Sequence, residues 1–218
     1  VGDWCFIPTP VVEIIDEFIV DLSEFSVGNS KNGNKLTCNN EIVSHEFNSK
    51  GGTTLRNLPR YWKLDESWAF ILGVFAGDGW TRSNGSNQVG FCDNNLERPH
   101  INQVIDFFVK NQYIHSEYIH KEKETLIQIV VSSPYLRGLF DKLHPQYKHT
   151  AQTKHVPDCI INAPLNIVES YLKGYFLSDG HEDLNKVKFD TVSSKLAEQI
   201  RFLFLRMGIP SSIVRTAR

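Results

Sequence analysis

Two segments of this chain share one hydrophobic rhythm. From Glu66 to Gly77, the apolar residues Trp68, Ile71, Leu72, Phe75 and Ala76 recur at i, i+3, i+4, i+7 and i+8, the stripe of an amphipathic helix. After Pro164, Val168, Tyr171, Leu172, Tyr175 and Phe176 repeat it. Asp65 is placed to cap the first helix and Gly79 to stop it. Asn166, with Glu169 three residues on, comes close to a capping box for the second, which Asp179-Gly180 ends. Between the two, Val89–Cys92 predicts a short strand and Pro99–Lys110 a helix. Residues 113–120 and 125–132 predict a hairpin around the polar KEKE turn, and Pro134–Leu143 a short helix. Beyond the second stripe come a strand over Val187–Thr191 and an amphipathic helix over Ser194–Met207, ending at Gly208. Ahead of all this, residues 1–20 read as short strands punctuated by Pro8 and Pro10. Residues 26–60, rich in Asn, Ser, Gly and Lys, read as a linker or a pair of long loops.

The two striped helices are versions of one element. Ile71–Gly79 lies over Leu172–Gly180 at an offset of 101 residues, with Gly73/Gly174, Phe75/Phe176, Asp78/Asp179 and Gly79/Gly180 identical. A strand (VGF; VKF) and a long amphipathic helix follow each copy, which predicts duplicated half-domains. Each helix places small residues four apart on one face, Gly73 and Gly77 against Gly174 and Ser178, a spacing that lets two backbones approach closely. If the helices pair side by side and parallel, Asp78 and Asp179 meet at two C-terminal ends where the dipole is already negative. Two carboxylates there repel each other unless a cation binds. Oxygen ligands suit Mg²⁺, and paired carboxylates on a divalent metal serve phosphodiester hydrolysis. A single copy of such a motif would be no more than a core helix ending at glycine; its recurrence in register separates the two cases.

Composition changes this picture little. The chain has 218 residues, 41% of them hydrophobic, enough for a real core and for one large or two small domains. The longest strongly apolar run, Trp68 to Ala76, is far too short to span a bilayer, and no signal peptide opens the sequence. There is no initiator Met, which suggests a fragment or a processed piece. Cys5, Cys38, Cys92 and Cys159 form no CxxC pair, against a zinc site or a disulfide scaffold and in favour of a reduced, intracellular setting. The net charge of −2 excludes a globally basic DNA coat but not local basic surface. Residues 110–155 carry seven Lys/Arg against four Asp/Glu and five of the eight histidines. None of the histidines has metal-ligand spacing with cysteine support, so His115, His120, His144 and His149 read as surface or DNA-facing residues.

The two nine-residue stretches, in the contexts WAFILGVFAGDGW and VESYLKGYFLSDGHE, resemble the paired motifs of LAGLIDADG (DOD-type) homing endonucleases. The resemblance covers roughly residues 61–218. It implies an α+β fold of two pseudo-symmetric repeats, with antiparallel sheets lying on duplex DNA and the motif helices at the interface. It implies that Asp78 and Asp179 are metal-holding catalytic acids, with Gly77 and Ser178 beside the Mg²⁺ or other divalent cation. Lys154-His155-Val156-Pro157 is similar to the Lys-x-Ile-Pro element of intein members, which makes Lys154 a third catalytic residue; taken alone it is a loop lysine before a proline turn. Val1–Pro8 resembles a strand of intein splicing domains, and taken alone is an ordinary β-turn-β start. On this reading residues 1–20 end a splicing domain, 21–60 are a linker, 61–165 the first endonuclease repeat and 166–218 a truncated second repeat lacking its hairpin and last helix. A segment so cut would neither splice nor cut efficiently by itself.

Among polar residues on predicted strands and loops, Arg82, Gln88, Gln128 and Lys188 are candidates to contact DNA. The expected protein is a monomeric, metal-dependent, site-specific DNA endonuclease within an intein, its partners being double-stranded DNA and the flanking exteins. A LAGLIDADG-fold protein that binds nucleic acid without cutting, such as an RNA maturase or a DNA-binding regulator, is the alternative; the presence of both acids favours the enzyme.

Overall fold

At the centre of the molecule two helices run side by side, α1 (Glu66–Asp78) and α5 (Leu165–Asp179), and theirs is the most extensive contact between any two elements. The computed structural model describes residues 10–25, 35–49, 52–82, 87–94, 96, 98–113, 115–119, 125–145, 151–184 and 186–215. The helices are parallel: Phe70 and Val74 face Gly174, Gly73 faces Tyr171 and Tyr175, and Gly77 faces Ser178. Glycine sets how near they come. A Cβ on Gly73 would overlap the carbonyl oxygen of Tyr171, one on Gly174 the carbonyl oxygen of Phe70, and one on Gly77 the hydroxyl of Ser178. The backbones themselves are in contact, as the spacing of small residues predicts. Nearly every residue of α1 from Trp68 to Gly77 is buried, the mark of a helix enclosed on all sides.

Asp65 caps α1 by accepting the Trp68 amide at 2.8 Å. The expected capping box on the second helix does not form. Pro164 occupies the N-cap position of α5 without a side-chain cap, because its fixed φ starts the helix unaided. Asn166 then lies inside the first turn, and its amide instead donates to Glu66 of the sister helix at 2.6 Å. Gly79 and Gly180 stop the helices in extended backbone at φ −81° and −96°. Side-chain-free residues fit there because a Cβ would strike the rings of Phe75 and Phe176.

A four-stranded antiparallel sheet of order β6-β7-β9-β8 follows α1 in the first half. Its strands are β6 (Gly79–Arg82), β7 (Gln88–Asn94), β8 (His115–Ile119) and β9 (Leu126–Ser132). The inner face presents Val89, Phe91, Ile127, Ile129 and Val131, all buried. The helices α2 (Arg98–Lys110) and α3 (Pro134–Leu143) complete this half. The second half has the short α4 (Asp158–Ile161), α5, a two-stranded ribbon of β10 (Gly180–Asp183) and β11 (Lys186–Phe189), and α6 (Ser194–Arg206). Ser193 caps α6 through the Leu196 amide at 3.2 Å. Among the described residues the second half pairs two strands where the first pairs four, with Leu184 and Val187 exposed. No helix among the described residues is long and apolar enough to cross a membrane.

The stretch expected to be a linker is structured. β1 (Ile19–Asp21) pairs with β5 (Tyr61–Lys63), and β2 (Lys35–Cys38), β3 (Ile42–Ser49) and β4 (Gly52–Pro59) form an antiparallel sheet. Its polar composition misled because nearly all of the described strand residues are exposed or only partly buried; among them Val43 and Leu58, opposite one another, are the buried pair. Backbone acceptors fasten this unit to the first half. The Tyr135 hydroxyl donates to the carbonyls of Thr37 and Ser44 at 3.1 and 3.2 Å, and Arg56 donates to that of Ser132 at 2.7 Å. The Phe25 ring sits where Gly138 has no side chain. The Val1–Pro8 strand expected from the sequence lies outside the described residues.

In an open helix, Gly→Ala would stabilise by about 1 kcal/mol. At Gly73 or Gly174 the added methyl meets backbone, so we expect the opposite sign, a loss of about 3 kcal/mol from overpacking, read from urea unfolding of Gly73→Ala and Gly174→Ala.

Candidate active site

Because α1 and α5 are parallel and in register, their last residues converge. Asp179 reaches across so far that a Cβ on Gly77 would lie 3.3 Å from its carboxyl carbon. The site therefore holds two carboxylates at the negative ends of two helix dipoles, a costly arrangement. Burial first, and then the charge of Asp179, push the Asp78 carboxyl up to about 7. Burial also raises Asp179, with a further push from Asp190 and a counter-pull from Lys154.

Lys154 supplies the compensating charge. Its ammonium donates to the Gly77 carbonyl oxygen, placing a cation at the C-terminal end of α1. The residue arrives on the connector between the halves. There His155 is buried beside His144, ring centroids 5.9 Å apart, and His144 lies tilted on Phe75 at 5.0 Å. This corrects the expectation of a surface or DNA-facing His144: the ring is 1% exposed, and burial drives its pKa well down. His115 is partly buried; His120 and His149 lie outside the described residues. Ser178 turns its hydroxyl hydrogen back to the Tyr175 carbonyl at 3.1 Å.

Asp78 runs directly into β6, and with it into the outer face of the four-stranded sheet. Arg82, Gln88 and Gln128 come together there, lining a groove of about 390 Å³ with Trp80, Tyr118 and Val130. Arg82 and Gln88 are cross-strand partners. Trp80 lies over Gly90, whose Cβ would collide with the indole, and the Arg82 guanidinium stacks 4.9 Å above that indole. Cys92, for which the sequence pattern predicts no role at the site, is on this face opposite Gln128; burial raises its thiol pKa, and it feels the charge of Asp78. Lys188 is not brought into this groove. It sits on the β10–β11 ribbon and pairs with Asp183. The aromatic residues of the groove carried no signal beyond strand alternation, since a Trp or Tyr on a strand more often faces the core.

Among the described residues no group of three or more His, Cys, Asp or Glu could hold a metal. A cation here would rest on two carboxylates with backbone carbonyls. That donor set fits a hard divalent ion that keeps waters and takes further oxygens from a phosphate, and the raised pKa values mark the charge it would neutralise.

Comparison with known proteins agrees with this architecture. A family model for the LAGLIDADG-like domain matches residues 166–218. Crystal structures of the homing endonuclease I-DmoI superpose with a TM-score of 0.50 at 17% identity. The complex with DNA and Ca is matched over 67% of this chain and 74% of that one, the complex with DNA and Mn over 68% and 81%. The chain has the LAGLIDADG homing-endonuclease fold, and its last 53 residues carry a LAGLIDADG-like domain. Among curated proteins it is 28% identical over 180 residues to an uncharacterised protein of Methanocaldococcus jannaschii. It is 31% identical over 147 residues to the ATP-dependent DNA helicase Hel308 of the same organism, and 26% identical over 154 residues to a DNA polymerase of Thermococcus hydrothermalis. These matches cover 77%, 66% and 66% of this chain but span 19%, 12% and 9% of the relatives' own lengths.

The raised Asp78 sets a pH dependence. The unfolded chain ionises this group near 3.8, while the folded protein keeps the proton to about 7. The folded state thus binds more protons across that window, and stability falls as pH rises through it. In metal-chelated buffer, Asp78→Asn should flatten the fall in Tm between pH 4 and 7 and melt above the unsubstituted protein at pH 8. A variant melting curve parallel to the parent's across this range would refute the assignment.

Proposed function

We propose that this chain is a homing-type endonuclease that cuts both strands of a DNA site by divalent-cation-dependent phosphodiester hydrolysis, and that it is nested in a protein-splicing intein. One observation carries the first part: two pseudo-equivalent carboxylates meet beside a lysine at the rim of a polar, aromatic sheet face. Asp78 and Asp179 would hold the cation, with the backbone of Gly77 and Ser178 beside it. When bound, the cation, Mg²⁺ or a similar hard ion, supplies Lewis acidity to the scissile phosphate and acidifies water. Lys154 offsets charge gathering on the phosphate oxygens in the transition state. On the sheet, Arg82, Gln88 and Gln128 have the donors and acceptors to read base edges in the major groove. Lys188, on the ribbon of the other half, serves as a backbone phosphate contact. Since each half contributes one acid within a single chain, the enzyme acts as a monomer, inside the cell that carries its target.

The intein reading draws support from the curated relatives. A DNA helicase and a DNA polymerase do different work, yet each shares a short stretch with this chain, as hosts of one inserted element would. The β-rich residues 10–63 then belong to the splicing part and its junction. Expression of the whole parent gene, followed by mass spectrometry for an excised segment and ligated flanks, tests this.

For the nuclease, Asp78→Asn and Asp179→Asn should each lower Mg²⁺-dependent cleavage of an intein-free host-gene site by at least about 100-fold, while DNA affinity by gel shift stays close to the parent's. Lys154→Ala should slow cleavage and spare affinity. Tight binding without cutting by the whole unsubstituted parent protein would favour a non-cleaving nucleic-acid-binding role.

A further inference from the structure

The connector that carries Lys154 is held by a helix of the opposite half. Ser193, fully buried, donates its hydroxyl to the Lys154 carbonyl oxygen at 2.6 Å. Six residues along, the Gln199 side chain accepts the Val156 amide at 2.9 Å. Seven further, Arg206 donates to the carbonyls of Ile161 and Ala163 at 2.6 and 2.8 Å. The N-cap of α6 and one face of the helix thus fix the connector backbone on both flanks of His155 and again just ahead of α5. None of these bonds is needed to make α6 itself, whose N-terminus Ser193 already caps through a separate bond to Leu196.

We propose that Ser193 and Gln199 are positioning residues for Lys154: they fix its main chain so that the ammonium can reach only the Gly77 carbonyl and the carboxylates beyond it. A lysine side chain is long and rich in rotamers, and its reach is set by where its backbone is anchored. With the two peptide groups that follow it, one on either side of His155, tied to α6, that anchor does not drift. The site is then assembled across the halves twice over. One acid comes from each motif helix, and the lysine delivered to the end of the first motif is held by the helix following the second. The role given to Lys154 in chemistry rests on the endonuclease reading; its placement by α6 does not.

The test uses the intact protein with Ser193→Ala, Gln199→Met, and the conservative Ser193→Thr and Gln199→Glu, each with Lys154 present and as Lys154→Ala. Two readouts are independent. The first is acylation of Lys154 by acetic anhydride, followed by mass spectrometry against the exposed Lys63 and Lys173 in the same molecule. The second is single-turnover cleavage with DNA affinity measured alongside. Ser193→Ala and Gln199→Met should make Lys154 several-fold more reactive while Lys63 and Lys173 stay unchanged. They should slow cleavage by about tenfold through misplacement of one group, leave affinity unchanged, and cost nothing further once Lys154 is Ala. Ser193→Thr and Gln199→Glu, which keep the donor and the acceptor, should restore both readouts. Equal losses of rate with and without Lys154, or unchanged Lys154 acylation, would overturn the proposal. If no variant, nor the parent, cuts any DNA while Lys154 acylation responds as stated, the endonuclease reading fails and the positioning stands.

Discussion

The contact between the backbones of α1 and α5 determines the rest of the site. Two helices with ordinary side chains pack with their axes 8–10 Å apart, and carboxylates at their ends then have room to separate. Here Gly73, Gly77 and Gly174 remove that spacing, and the last turns are forced together. The charge problem at Asp78 and Asp179, the place for a lysine and the fit for a hard cation follow from it. The same contact aims β6 and β10 away from one point into their respective halves, so each sheet starts at the acids.

Much of this was legible in the sequence because the helical stripe, the small residues and the acids recur in one register, and each has a physical meaning at that spacing. The helices over 66–78, 98–110, 134–143 and 194–206 and the hairpin of β8 and β9 stand close to where periodicity puts them. Composition failed at residues 35–59, where Asn, Ser, Gly and Thr form strands whose burial is confined to a few residues such as Val43 and Leu58. Capping logic failed at Asn166, where proline chose the helix start and the amide found a partner on another element. Ser193, Gln199 and Arg206 were invisible for a different reason. Each bonds to main-chain atoms about 40 residues away in sequence, and main-chain atoms leave no trace in a pattern of side chains.

The N-terminal sheet is built onto the first half by the same means. Arg56 and Tyr135 both act on carbonyl oxygens, Arg56 on Ser132 at the end of β9 and Tyr135 on Thr37 and Ser44. Trp62 of β5 packs edge-on against Trp68 of α1 with centroids 5.4 Å apart, and Trp68 against Phe107 at 4.7 Å. The aromatic core therefore runs without a break from the N-terminal unit into the motif helix. Any movement of the one is felt by the other.

The glycine contacts also limit what genetics can repair. A side chain that collides with another side chain can be accommodated by shrinking its neighbour. Gly73 and Gly174 face carbonyl oxygens of Tyr171 and Phe70, atoms present whatever residue stands there. No substitution at the opposing position clears space for a methyl, so a screen for second-site suppressors of Gly73→Ala would return changes that tilt or lengthen the helices elsewhere, and none at the point of contact.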